Sequence, residues 1–242
     1  MQLRAGLLFA SDSRTNAGVD HIATFRKMNL FERPGERLVT LLTAGNLATT
    51  QSVVSLLRQR ASANSDTDAR HLMNLTSMYD VAELVGKTLK EVVARDSDGV
   101  GQLNQGVDFG ANFIVGGQIR GEAPRVFHVY PQGNFIEATE DTPYVQIGES
   151  KYGKPIIDRV IDFDSSLAEA TKCALISFDS TIRSNLSVGL PIDMLLYKTD
   201  SFAPAEPHRI TKDDPYFKTI SQGWGGGLKR VFEQLPDEDW FA

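Results

Sequence analysis

The chain has a single cysteine, Cys173. One thiol makes an internal disulfide impossible and excludes a cysteine-rich zinc site. The four histidines, His21, His71, His128 and His208, show no ligand spacing, so no metal is expected. No apolar run approaches the ~20 residues of a membrane-spanning helix. No basic start leads into an apolar core of the signal-peptide kind. A long basic tract is also lacking and the formal net charge is −6, so neither nucleic acid nor a membrane is an expected partner. What remains is ordinary: 242 residues, 41% hydrophobic and 23% charged, as in a soluble globular protein of the cytoplasm. Nothing in the composition calls for a cofactor.

The elements that are present follow a clear order. "GLLFAS" (6–11) reads as a buried strand and "ATFRKMNLF" (23–31) as strand-like. "RPGE" (33–36) has turn chemistry, and "RLVTLLTAG" (37–45) is a second buried strand. A helix follows over 47–61, with Thr49 or Thr50 as its cap. Leu72, Leu75, Tyr79, Ala82, Val85, Leu89 and Val92 then recur at spacings of three and four, which predicts one long amphipathic helix over about 69–95. Met73, Met78 and Leu84 on its flanks suggest a surface for another subunit. Further on, 110–118 is a strand, 125–138 a hairpin turning at Pro131–Gly133, and 144–149 another strand. Helical sequence from about Tyr152 to Arg183 is interrupted near 162–166. A last long strand covers 187–200. The tail from Ser201 is rich in proline, glycine and charge; its "GWGGGLKR" (223–230) reads as a flexible turn, since it lacks the strand-to-helix setting of a phosphate loop.

Each helix pair has an apolar face that must cover a sheet. Two helix pairs separated by strands suit two stacked sheets with a helix layer outside each. The expected fold is therefore α+β, a four-layer αββα sandwich over residues 1–200, with 201–242 as a C-terminal extension that docks on the body or between subunits.

The strand at Gly6–Asp12 has only five residues in front of it. If the turn before it centres near Ala5, the residue opposite Asp12 lies roughly seven positions before that turn, because hairpin strands pair symmetrically. That position falls ahead of Met1. One side of a buried strand would then lack hydrogen-bond partners. The expectation is that the first strand is truncated and that the sequence begins at an internal methionine of a longer protein.

"GLLFASDSRTNAG" (6–18), "FRKM" (25–28), "LTAGN" (42–46) before a helix, "QIGES" (146–150) and "IRSNLSVG" (182–189) occur in the order of the proteasome β-subunit pattern. The chain resembles that family over most of its length, to about Asp200, and is most similar to its bacterial branch called Anbu, the ancestral β subunit. The resemblance implies the N-terminal-nucleophile hydrolase type of αββα sandwich. It implies a threonine-type peptidase, in which a threonine at the mature N-terminus attacks a peptide carbonyl with its own α-amino group as base. By motif, Asp12 is the aspartate that orients a lysine, Lys27 is that lysine, Gly45 is the oxyanion donor, and Ser187 is the late serine beside the terminal amine. Ser184 stands where the family has an aspartate, and Glu149 where its loop has a serine. Both departures weaken the usual hydrogen-bond relay. The family also implies copies of the chain in a ring-like or helical homo-oligomer, acting on peptide or protein substrates.

Taken singly these residues have plainer roles. Asp12 would be a strand-end cap, Lys27 a solvated charge, Gly45 a helix-entry glycine, Ser187 a hydrogen-bonder before a strand. Their joint order points to a site, and Ser184 stays evenly balanced. His128 reads as a satisfied surface or interface residue and Cys173 as core. Two other functions stay open: a catalytically silent proteasome-like scaffold subunit, and a small-amide amidohydrolase of the same fold. The chain carries no N-terminal threonine, so as it stands it is expected to be inactive.

Overall fold

Two antiparallel sheets stack face to face in the computed structural model, which describes residues 1–16, 22–62, 71–98 and 108–241. One sheet has the order β1 (Gln2–Leu3), β2 (Gly6–Asp12), β10 (Ile192–Lys198), β11 (His208–Ile210). The other runs β5 (Met28–Arg33), β6 (Arg37–Gly45), β7 (Ala111–Ile119), β8 (Arg125–Val129), β9 (Phe135–Glu137). A short ribbon of β3 (Arg14–Asn16) and β4 (Ile22–Thr24) stands apart. Helices α1 (Leu47–Ser62) and α2 (Met78–Asp98) cover the second sheet; α3 (Lys154–Val160) and α4 (Leu167–Ser184) cover the first. This is the four-layer αββα sandwich.

The strand sequences explain the layering. Side chains alternate between the two faces of a strand. In β2, Leu7 and Phe9 enter the layer between the sheets with Leu38, Leu42 and Leu195. Leu8 points the other way, into the layer with Ile157, Ala174 and Met194. Both faces are buried, so β2 reads as an unbroken apolar run rather than an alternating one. Phe9 is fully buried, and truncating it to alanine should cost about 3–5 kcal/mol. The outer layer of α1 and α2 closes on Leu41, Phe113 and Val115 through Val53, Leu57, Val85 and Leu89.

Several expectations change. The sequence over 23–31 is not one strand: β4 ends at Thr24, β5 begins at Met28, and residues 25–27 lie between them. In that gap the Phe25 N–H turns back to the Ser13 carbonyl at 2.8 Å, and Thr43 N–H binds the Lys27 carbonyl at 3.1 Å. Leu72 lies in a separate 3-10 turn, Leu72–Asn74, and α2 starts only at Met78. Ser77 caps α2 through the Asp80 N–H at 3.1 Å. Tyr79 is half exposed, whereas Met78 and Leu84 are buried in the core, so they form no subunit surface. Residues 144–149 are extended but join no sheet. Tyr144 is tied to α3 through Asp158 and Lys154, and the φ of +74° at Gly148 turns the chain. The last strand begins at Ile192, after a loop ending in Pro191, whose missing N–H suits a strand entry.

The tail is the largest departure. β11 pairs with β10, and α5 (Pro215–Gln234) spans the "GWGGGLKR" stretch that reads as a flexible turn. Asp214 caps α5 by accepting the Phe217 N–H at 2.8 Å, with Pro215 at the first helical position. Ile210 and Phe217 join the core beside α3 and α4. His21, most of the polar stretch 62–68 and the end of the "DSDGVG" stretch lie outside the described residues. Among the described residues no helix is long and apolar enough to cross a membrane.

Candidate active site

β2 delivers Asp12 to the edge of the sandwich, where three segments meet it. Its Oδ1 accepts Lys27 Nζ at 2.6 Å. Its Oδ2 accepts the backbone N–H of Arg14 at 3.1 Å and of Gly189 at 3.3 Å. The two side chains of the ion pair are only 11% and 21% exposed. A charge-assisted bond this short and this sheltered is stronger than a surface pair. Gly189 approaches closely because the Arg14 guanidinium lies on it; a Cβ there would sit 2.3 Å from Arg14 Cζ. Arg14 also donates to the Leu186 carbonyl at 2.8 Å. Ser13 Oγ donates to the Pro191 carbonyl at 2.7 Å. Together these bonds fix the 186–191 loop against β2.

Gly45 ends β6 in the left-handed region, at φ +104°. A Cβ there would meet the Gly110 carbonyl at 2.5 Å, so this sharp exit into α1 requires glycine. The next residue, Asn46, caps α1: its Oδ1 accepts the Thr49 N–H at 3.1 Å. Thr49 and Thr50 are therefore not the cap. Both are buried in the first turn, and Thr50 Oγ1 donates to the Leu47 carbonyl at 2.9 Å.

Ser187 enters a relay that the sequence does not announce. The Ser187 N–H and Oγ both donate to Asn185 Oδ1, at 2.8 and 2.6 Å. Asn185 Nδ2 in turn donates to Glu149 Oε2 at 2.7 Å. Glu149 Oε1 accepts the Lys151 N–H at 2.9 Å. That backbone bond, and then the bond from Asn185, hold the Glu149 carboxyl below the usual range. Glu149 is thus an ordered anchor between the two segments. Ser184 is different: it is exposed on the last turn of α4 and does not line the cleft where the other candidates meet. The signal for Asn185 was its spacing, since asparagine readily bonds the backbone N–H two residues on.

Asp12, Lys27, Gly45 and Ser187 all border one cleft of about 940 Å³. The β2 edge from Phe9 to Asp12 forms one wall. Met1 continues the pairing of β1 by one residue, with Leu8 N–H on the Met1 carbonyl at 3.0 Å and the Met1 amine on the Leu8 carbonyl at 2.7 Å. Burial pushes that amine down to about 5. Beyond Leu8, no strand among the described residues pairs with this edge of β2. Ser11 Oγ, Thr15 Oγ1 and Gln146 Oε1 are buried in the cleft wall without a partner among the described residues. Chemically, the cleft offers a cation held by a carboxylate, a strand edge that can hydrogen-bond an extended chain, and a glycine turn where a carbonyl oxygen can be received.

A family model described as proteasome subunit matches residues 4–195. No curated protein matches the chain. Among solved structures, Anbu (ancestral beta-subunit) from Yersinia bercovieri is 59% identical with a TM-score of 0.91, over 99% of this chain and 97% of that one. The helical assembly of the Anbu complex from Pseudomonas aeruginosa gives 54% identity and a TM-score of 0.93 over the same shares. Anbu from a Hyphomicrobium strain gives 50% and 0.89, over 98% and 97% of the two chains.

Proposed function

The chain belongs to the proteasome subunit family, and from that premise we propose that it is a threonine-type peptidase subunit acting in the cytoplasm on peptides or proteins. The observation that carries this is the edge of β2 from Phe9 to Asp12, which faces the cleft and ends at the Asp12–Lys27 pair. A strand laid along that edge in continuation of β1 would bring an N-terminal threonine to Lys27.

The chemistry then follows from the side chains. The threonine Oγ attacks the peptide carbonyl carbon and its proton passes to the terminal α-amine, whose ordinary pKa near 8 suits a base at neutral pH. Lys27, oriented by Asp12, adds a positive charge that disfavours protonation of that amine and favours the alkoxide. The Gly45 N–H receives the oxyanion. Ser187 hydrogen-bonds the amine and keeps it aimed at the hydroxyl. Collapse expels the leaving amine, which takes up the proton, and leaves an ester on the threonine. Water, activated by the same amine, hydrolyses that ester and restores the hydroxyl.

The test is a fluorogenic-peptide assay on the protein extended by a threonine-bearing strand, and on the chain that starts at Met1. Turnover by the extended protein alone supports the proposal. No turnover by either, across a broad peptide panel, leaves a silent scaffold subunit as the better account; turnover of small amides alone supports an amidohydrolase.

The assembly proposed with this function is a homo-oligomer, ring-like or helical. Its support is the exposed stripe Leu228, Val231 and Phe232 on α5, spaced as one helix face, with the exposed Leu235 just past its end. The segment 201–242 is proposed as an inter-subunit extension on the same ground.

A further inference from the structure

The chain as a whole is acidic, with a net charge of −6, yet the described lining of the cleft has the opposite sign. It carries four basic side chains, Arg14, Arg26, Lys27 and Arg58, against two acidic ones, Asp12 and Glu149. Asp12 is taken up by Lys27 at 2.6 Å. Glu149 is turned towards Asn185 and the Lys151 N–H. Among the described residues, none of the three guanidinium groups meets a carboxylate. Arg14 donates to the Leu186 carbonyl and lies against Gly189. Arg26 is exposed in the gap before β5. Arg58 lies on the face of α1 that also gives Gln51, Val54 and Ser55 to the cleft, a spacing of three and four that aligns them in one wall.

Arg58 is held as well as charged. One Nη donates to Asn29 Oδ1 at 2.8 Å. Asn29 sits on β5, two residues after Lys27, so the guanidinium is fixed beside the strand that follows the site lysine. Asparagine orients it without neutralising it. Among the described residues the Arg58 guanidinium makes no other hydrogen bond, so its remaining N–H groups can meet a ligand, and a guanidinium fork matches a carboxylate bidentately. A cleft of one sign between low-dielectric walls concentrates ligands of the other sign.

We propose that the cleft selects acidic peptides, with an aspartate or glutamate side chain near the bond at Gly45 received by Arg58 and the field of Arg26 drawing it in. Which bond lies at Gly45 rests on the peptidase function above; the binding preference does not, and the two are separable by experiment. The probes are three fluorescein-labelled hexapeptides of one framework carrying aspartate and glutamate, asparagine and glutamine, or lysine. Binding to the full chain is read by fluorescence anisotropy at low and high salt. The acidic peptide should bind about tenfold more tightly than its amide isostere, and its advantage should shrink as salt rises. Arg58→Gln should remove most of that advantage, Arg58→Lys should keep part of it, and Arg26→Gln should weaken it less. Arg58 is exposed, so these variants should fold, which circular dichroism checks. Equal binding of acidic and amide peptides, binding unmoved by Arg58→Gln, or no binding of any of the three overturns the proposal. Tight acidic-peptide binding without hydrolysis by the threonine-extended protein keeps it and removes the peptidase function instead.

Discussion

Asn185 and Glu149 meet at 2.7 Å, one from the loop after α4 and the other from the segment before α3. Asn185 spends its amide nitrogen on Glu149 and its amide oxygen on Ser187. The Ser187 hydroxyl is therefore oriented by a neutral amide that is itself anchored to a carboxylate. The residue after Ser184 thus supplies the hydrogen bonds that hold Ser187.

Asn185→Ala in the threonine-extended protein should release the Ser187 hydroxyl while leaving the ion pair intact. If Ser187 aims the terminal amine, kcat should fall roughly 10- to 100-fold with KM little changed. Glu149→Gln keeps an acceptor for Asn185 and should cost less. A loss confined to KM would place this relay in substrate binding instead. Steady-state kinetics on one fluorogenic peptide decides between them.

The ion pair makes a stronger demand. Lys27→Ala should leave the Asp12 carboxylate sheltered without its cation, and Asp12→Asn should leave Lys27 without its orienting charge. Each should lower peptide hydrolysis by the extended protein about 10²- to 10⁴-fold. Lys27→Ala should also destabilise the fold by on the order of 3 kcal/mol, because removing one partner of a sheltered pair leaves an uncompensated charge. Urea unfolding measures that cost separately from activity. Full activity in Lys27→Ala would place the site elsewhere.

Much of this was legible in the sequence, for reasons that differ by element. β2 and β6 are buried on both faces, so each is a short unbroken apolar run closed by a turn or a polar residue, a pattern that suits a buried strand. Their bounds agree with the sequence expectation to within a residue. The Asp12–Lys27 pair was legible only through the order of motifs, since neither residue is distinctive alone. The failures share a cause: tertiary contacts overrode local pattern. Residues 144–149 alternate like a strand, yet Tyr144 is claimed by Asp158 and Lys154. The glycines of 223–227 argue against helix, since each costs about 1 kcal/mol relative to alanine, yet Asp214, Pro215 and the buried Phe217 start α5 firmly enough to run through them. The cap of α1 moved to Asn46 because Thr49 and Thr50 are more useful as buried filler than as caps.

His128 gives a pH test that does not involve the site. Its ring is half-buried on β8, with Nε2 3.0 Å from Asn112 Oδ1, and burial pushes its pKa below the ordinary histidine value. The unfolded chain therefore takes up this proton at higher pH than the folded one. The stability that follows is fully present above the ordinary value of about 6.5 and is lost as pH falls through the lower folded value. His128→Asn removes the titrating group, so the fall in Tm between about pH 7 and about pH 5 should be smaller in the variant. An unchanged fall would mean that other groups carry the acid sensitivity.

The assembly prediction rests on α5. Its first turn is capped by Asp214 and anchored by Phe217, and Ser221 Oγ accepts from Arg183 at 2.9 Å. Its second half has no such support among the described residues: Leu228, Val231 and Phe232 are 52%, 58% and 77% exposed, and Leu235 just past its end is 62% exposed. That half also follows Gly223, Gly225, Gly226 and Gly227, which lower the intrinsic stability of a solvated helix. A helix of this composition gains most by laying its apolar face on another surface, and a neighbouring copy of the chain that receives it head to tail gives the contact a ring or helix repeats. Phe232→Glu places a charge in the middle of that contact. It should shift the mass seen by light scattering at micromolar concentration towards the monomer while leaving the circular dichroism spectrum and Tm of the αββα body nearly unchanged. Gly226→Ala is the complementary change, since a methyl group there meets nothing closer than Arg230 at 3.6 Å within its own chain. It should strengthen the isolated helix, and it should weaken assembly only if the partner packs against that glycine face. An oligomer of the same mass in Phe232→Glu would move the interface away from α5.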